Sequence, residues 1–190
     1  MVGSAVRQWY EEIWRELPEE LDPPDFEARR DFLVARVGAD DRVLDLGCGD
    51  GPFVPALLEA GAEVTGADVA EGALERARRR APGARYVRVE PHGPWPFDDE
   101  EFAVVWASEV IEHVADTESW VNEVRRVLAP GGRLLVTTPS VETLAEPPDP
   151  RGQHLRFYSA GSLRDLLEDM AFGDVDVRVA KGLLFGTALR

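Results

Sequence analysis

The stretch Val43-Leu44-Asp45-Leu46-Gly47-Cys48-Gly49-Asp50-Gly51 constrains the fold of this chain more than any other segment. Val43, Leu44 and Leu46 read as a short buried strand, which runs into a carboxylate and three alternating glycines. Glycines 47, 49 and 51 admit backbone angles and a closeness of approach that a side chain would block, so a ligand can lie against bare backbone. A strand entering such a loop builds the nucleotide-binding turn of a doubly wound sheet.

Spacing narrows the ligand. A dinucleotide fingerprint places its third glycine where this chain has Pro52. Asp45 stands two residues before the first glycine, where a phosphate is repelled and an ammonium is held. That pattern favours a cationic amino-acid ligand. Further on, Val64-Thr65-Gly66-Ala67-Asp68 reads as a second strand ending in a carboxylate, 21 residues after Gly47, where a doubly wound fold binds ribose hydroxyls.

Asp45-Leu46-Gly47-Cys48-Gly49-Asp50-Gly51 resembles the first motif of class I S-adenosylmethionine-dependent methyltransferases, in which the loop wraps the methionine part of the cofactor. Later segments match in order and spacing: the apolar strand pattern 102–107, then Ser108-Glu109-Val110-Ile111-Glu112-His113-Val114, the turn Pro130-Gly131-Gly132 into a strand at 133–137, and Thr138-Pro139-Ser140. These resemble the fourth and fifth strand regions of small-molecule methyltransferases, including those of the ubiquinone pathway. The resemblance covers about residues 38–180. It implies an α/β, doubly wound, Rossmann-like sheet of seven strands with the last antiparallel and helices on both faces.

The implied organisation is one compact unit, with an N-terminal helical lid at 1–37 and a cofactor-binding domain at 38–190. The implied cofactor is S-adenosylmethionine, with S-adenosylhomocysteine as product, held by Asp45, Gly47, Cys48, Gly49, Gly51, Asp68 and Val69. Ser108 and Glu90 complete the expected contacts. Glu90 is a loose equivalent of an acidic residue that lies near the adenine in relatives, because the chain reads Val89-Glu90-Pro91-His92. The aspartate usual after the phenylalanine of strand four is also replaced, by Ala103.

Length and charge bound the alternatives. With 190 residues, 44% of them hydrophobic, the chain can bury one core and not two large ones. It carries 36 acidic against 21 basic side chains, a formal charge of −15, which opposes binding to bulk nucleic acid. The local exception, Arg76-Ala77-Arg78-Arg79-Arg80, falls at the end of an expected helix, where cations meet the carbonyl end of the dipole. The single cysteine, Cys48, excludes an intrachain disulfide. No run reaches 18 apolar residues and the first residues lack a secretion-signal pattern, so the expectation is a cytoplasmic protein without a membrane partner. Oligomeric state is not readable.

Residues 4–17 carry Val6, Trp9, Tyr10, Ile13, Trp14 and Leu17 at helical spacing, with Ser4 as a cap. Trp9, Tyr10 and Trp14 either touch substrate from this lid or pack on the sheet. Pro18, Pro23 and Pro24 break the helix; a second spans 25–37 and ends at Gly38 as a left-handed terminator. Helices at 53–60 and 71–80 then alternate with strands at 63–67 and 85–90, which implies a parallel sheet. Residues 91–96 form a proline-rich surface loop. A helix at 117–128, a strand at 133–137, a long Glu/Pro/Asp-rich loop at 140–153 beside the expected substrate pocket, a helix at 162–170 and two strands finish the chain.

The candidate chemistry follows strand four. Glu109, Glu112 and His113 lie at i, i+3 and i+4, which on a helical turn share one face. His154 returns toward the same edge if the family topology holds. Glu109, Glu112, His113 and His154 together make a candidate site for a divalent metal such as magnesium or manganese. The set resembles that of methyltransferases acting on the terminal 2′-hydroxyl of small RNAs, and its first three members resemble ubiquinone-pathway O-methyltransferases. A metal there would bind vicinal hydroxyls and lower the pKa of the attacking oxygen. Glu-His-Val in this place also occurs in methyltransferases without a metal. In that case His113, His154 or Glu109 carries the chemistry, with an imidazole as general base, or positioning alone suffices. The expected reaction is methyl transfer to a small-molecule acceptor, at a hydroxyl in preference to a nitrogen. The alternatives are a metal-dependent RNA 3′-end 2′-O-methyltransferase and a catalytically silent cofactor-binding subunit.

Overall fold

A computed structural model describes residues 2–19, 22–143 and 154–190, with side chains described from residue 6. The chain forms two compact units, Met1–Pro96 and Phe97–Arg190. Its strands make a seven-stranded sheet in the order β3-β2-β1-β4-β5-β7-β6.

The first unit contains α1 (Val2–Glu16), α2 (Phe26–Val34), β1 (Arg42–Leu46), α3 (Val54–Glu59), β2 (Glu63–Asp68), α4 (Glu71–Arg80) and β3 (Arg85–Arg88). β1 runs parallel to β2, and β2 parallel to β3. Val43 and Leu44 are fully buried, as a strand covered on both faces requires. α2 departs from the expected end. It stops at Val34, and i−3 bonds from Arg36 to Leu33 and from Val37 to Val34 tighten its last turn. Gly38 therefore caps nothing; it keeps a negative φ, and its N–H donates to the Asp41 carboxylate at 2.7 Å. The strand expected at 85–90 ends at Arg88.

The second unit contains β4 (Phe102–Ser108), a 3-10 turn (Ile111–His113), α5 (Thr117–Val127), β5 (Leu128–Pro139), α6 (Ala160–Asp169), β6 (Gly173–Ala180) and β7 (Leu183–Leu189). β4 and β5 are parallel, while β7 runs antiparallel to both β5 and β6, as expected for the last strand. Asp116 caps α5 by accepting from Ser119 N, and the helix buries Trp120, Val121, Val124 and Val127. The turn expected at Pro130-Gly131-Gly132 is absorbed into β5. Gly131 takes φ 74° and the β4 pairing slips between Phe102 and Val104. Ser159 and Ser162 form a reciprocal cap on α6. Lys181 and Gly182, both at positive φ, close the β6–β7 hairpin with the twist that a two-residue turn needs.

α1 begins at Val2, so Ser4 lies inside the helix and is not the cap expected there. The Ser4 side chain and most of the 140–153 loop lie outside the described residues. Among the described residues, no helix is long and apolar enough to cross a membrane.

Candidate functional site

In the first unit, β1 carries Asp45 into the interior, where it is 2% exposed. Its Oδ2 is buried and has no hydrogen-bond partner among the described residues. Burial, helped by the charge of Asp68, pushes the carboxyl up to about 8. An unsatisfied buried carboxylate oxygen is costly and is the natural partner of an ammonium group.

The loop beyond it is shaped by its glycines. Gly47, Gly49 and Gly51 have φ of 75°, 56° and 74°, the left-handed region that other residues reach only with strain. The N–H groups of Gly47 and Cys48 both donate to the Ala67 carbonyl, at 2.7 and 3.0 Å, which fastens the loop to β2. Gly49 N–H donates to Asp68 Oδ2, and Ala70 N–H to Oδ1, each at 2.9 Å. Burial raises the Asp68 pKa and these amides oppose the rise. Val69, between them, is half-buried. Cys48 is buried, its thiol pushed up by burial, and serves as a small packing residue. Gly51 packs on α4, where an added Cβ would lie 3.2 Å from Ala77 Cβ.

α1 reaches each edge of this arrangement. Arg7 pairs with Glu90 at 2.7 Å. Glu11 accepts from the first amides of α4, Glu71 N–H at 2.7 Å and Gly72 N–H at 3.1 Å. The Trp14 ring lies on Gly49, where an added Cβ would be only 2.8 Å from Cζ2. Arg76 donates to the carbonyls of Trp14, Leu17 and Pro18. The basic run thus does more than face its own helix end. Arg79 pairs with Glu19, and Arg80 bridges Asp22 at 2.7 Å and the loop residue Asp50 at 3.1 Å. These contacts join segments far apart in sequence, so periodicity alone does not reveal them.

The second unit holds the other candidate residues. Ser108, at the end of β4, shares a hydroxyl hydrogen bond with Thr137 at 2.8 Å. Glu109 follows in the left-handed region, φ 58°, with its N–H on the Thr137 carbonyl. This kink replaces the expected helical turn. The next residues form a 3-10 turn, so Glu109 does not share its face with Glu112 and His113 through helical spacing.

Glu112 is buried and its Oε2 accepts from the Thr138 hydroxyl at 2.9 Å. Its carbonyl accepts from Leu155 N–H at 2.8 Å and Arg156 N–H at 3.2 Å, which brings His154 back to the turn. Arg156 then donates to the carbonyls of Val114 and Ala115. The rings of His113 and His154 stand 5.0 Å apart, and His113 Nε2 is 3.8 Å from Glu112 Oε1. One ligand atom from each of Glu112, His113 and His154 lies within 4.8 Å of the others; Glu109 is not of this group. Thr138 and Arg156 are the supports that sequence reasoning missed. Neither has a signal beyond its proximity in sequence to the motif residues.

Residues 12–176 match the family profile described as a methyltransferase domain. The chain belongs to the S-adenosylmethionine-dependent methyltransferase family. A ubiquinone biosynthesis O-methyltransferase of Ruegeria pomeroyi is 33% identical over 192 residues, covering 91% of this chain and 72% of that protein. A demethylmenaquinone methyltransferase of Clavibacter sepedonicus is 38% identical over 109 residues, covering 54% of this chain and 44% of that protein. The methyltransferase domain also matches, in fold, the crystal structure of an S-adenosylmethionine-dependent methyltransferase from Mesorhizobium loti. The TM-score is 0.74 at 21% identity, over 88% of this chain and 98% of that one.

The first unit fits the cofactor on its own terms. Asp45 offers an unsatisfied carboxylate oxygen to an ammonium, the left-handed glycines leave backbone open, and Asp68 presents a carboxylate already set by two amides.

Proposed function

We propose that this methyltransferase transfers the methyl group of S-adenosylmethionine to a hydroxyl oxygen of a small aromatic acceptor, with His113 and His154 as the groups that receive the hydroxyl proton. When bound, the cofactor supplies an electrophilic methyl on a sulfonium and leaves as the neutral thioether. The chain's own work is to hold that cofactor through Asp45, the glycine loop, Asp68 and Val69, with Glu90 and Ser108 as further contacts. The acceptor must also be made nucleophilic. The observation that carries the reading is the histidine pair, 5.0 Å apart and half-buried beside Glu112 at the end of β4. A neutral imidazole accepts a proton near neutral pH, and two adjacent rings can pass it outward. The relative named for O-methylation in ubiquinone biosynthesis supports an oxygen acceptor.

A second reading is favoured by the trio Glu112, His113 and His154. Nitrogen and carboxylate donors with mutual distances within 4.8 Å suit a divalent cation such as magnesium or manganese. Those three residues would hold the ion, Glu109 standing outside them, and the ion would lower the pKa of a bound acceptor hydroxyl. The formal charge of −15 opposes RNA as the acceptor under either reading.

The test is radiolabelled methyl transfer by the whole chain to parallel panels of catechols, simple phenols, amines and short RNAs. Product on phenolic or catecholic oxygen, lost with His113→Ala or His154→Ala, is the expected result. Label on nitrogen or RNA alone would overturn the acceptor. No transfer despite cofactor binding would identify a silent subunit.

A further inference from the structure

We propose that Trp14 is a cofactor-positioning residue that reads the positive charge of the sulfonium, and so separates S-adenosylmethionine from its neutral product. The inference rests on the cofactor reading above and adds a residue outside the motifs.

Three observations lead to it. First, Trp14 sits on the loop residue that matters most: an added Cβ on Gly49 would meet Cζ2 and Cη2 at 2.8 and 2.9 Å, while Gly49 N–H is committed to Asp68. The sulfonium sulfur is covalently linked both to the amino-acid chain suited to Asp45 and to the ribose suited to Asp68, so in a bound cofactor it would fall between those two groups. Gly49, four residues after Asp45 and bonded to Asp68, is the stretch of loop that connects them.

Second, α1 is held in place by polar contacts. Arg7 on Glu90, Glu11 on the first amides of α4, and Arg76 on three carbonyls at the end of the helix fix where the indole stands. A side chain so anchored can be used for geometry. Third, the described residues of α1 from Val6 to Glu16 all keep some exposure, although Trp9, Tyr10, Ile13 and Trp14 recur at helical spacing. Trp14 is thus only partly buried and keeps part of its ring open. Its ring already has one cation near it, the Arg76 guanidinium carbon at 5.7 Å from the centroid. An indole face attracts cations more strongly than any other side-chain ring.

Calorimetry with S-adenosylmethionine and S-adenosylhomocysteine, on the wild-type chain and on Trp14→Leu, Trp14→Phe and Glu11→Gln, tests this. Trp14→Leu should weaken S-adenosylmethionine roughly 5- to 30-fold and the product less than about threefold; Trp14→Phe should recover most of the difference. Glu11→Gln, which loosens the helix that seats the indole and removes a negative charge, should shrink the same ligand difference, by less than Trp14→Leu. Equal losses for both ligands in the two Trp14 variants would reduce Trp14 to a packing residue, and unchanged affinities would remove it from the site. If Trp14→Leu does not fold, Trp14→Met carries the test, and losses there that are equal for the two ligands overturn the proposal. A wild-type chain that binds neither ligand would fail the cofactor reading itself.

Discussion

Gly49 donates its backbone N–H to Asp68 Oδ2 at 2.9 Å, so the glycine loop and the carboxylate at the end of β2 are one hydrogen-bonded unit. Removing the carboxylate therefore releases the loop as well as the proposed ribose contact. Asp68→Ala should weaken S-adenosylhomocysteine by roughly 1.5 to 3 kcal/mol, the scale of charge-assisted hydrogen bonds. Calorimetric affinity equal to wild type would remove Asp68 from the site.

Asp45 makes binding depend on pH. Its carboxyl keeps its proton to about pH 8 in the folded chain, whereas the unfolded chain releases it near pH 4. Between those values the folded state holds more protons, so the contribution of Asp45 to stability is present at acid pH and is lost as pH rises toward 8. An ammonium ligand needs the ionised form. Affinity for S-adenosylhomocysteine should thus rise between pH 6 and 8, by at most tenfold per unit, with proton release visible as a buffer-dependent heat. Asp45→Asn should flatten this profile and raise the thermal midpoint of the ligand-free chain at pH 8. A profile equally steep in the variant would assign the proton elsewhere.

Metal titration separates the two catalytic readings. Magnesium and then manganese, added to metal-stripped protein saturated with S-adenosylhomocysteine, should bind saturably if the Glu112, His113 and His154 trio is a metal centre, and Glu112→Gln should abolish that binding. Without a metal, His113→Ala should lower turnover while cofactor affinity stays nearly intact, since it removes a proton acceptor and no cofactor contact. Parallel losses of turnover and cofactor affinity would make His113 a structural residue.

Thr138 supports Glu112 from β5. Thr138→Val keeps shape and removes the hydroxyl that donates to the buried Oε2 at 2.9 Å. The variant should lose about 1 to 3 kcal/mol of unfolding free energy in urea denaturation, because a buried carboxylate oxygen forfeits a donor. A loss below about 0.5 kcal/mol would mean that Glu112 is satisfied without it.

How far the sequence could be read follows from the range of each interaction. β1, the glycine loop and the carboxylate that ends β2 are legible because apolar pattern and glycine positions lie within a few consecutive residues, and the helix expected at 71–80 has that span. Gly38 departs from expectation because a glycine after a helix is a common terminator, yet here its N–H donates to the Asp41 carboxylate. The Glu109 face failed for a related reason. Regular i, i+3, i+4 spacing presumes an α-helix, and the chain kinks through a left-handed Glu109 into a 3-10 turn. The seat of Trp14 on Gly49 and the grip of Arg80 on Asp50 span 35 and 30 residues, and no local pattern encodes such partners.

The backbone staple at Glu112 bears on how this chain can diversify. Leu155 and Arg156 use main-chain N–H groups on the Glu112 carbonyl, and Val141 N–H uses the Tyr158 carbonyl. None of these bonds depends on side-chain identity. The side chains of Val141 and Leu155 can be exchanged while His154 stays in register with His113. Variation at these two exposed positions, across evolution or in a directed library, leaves the histidine pair where it is.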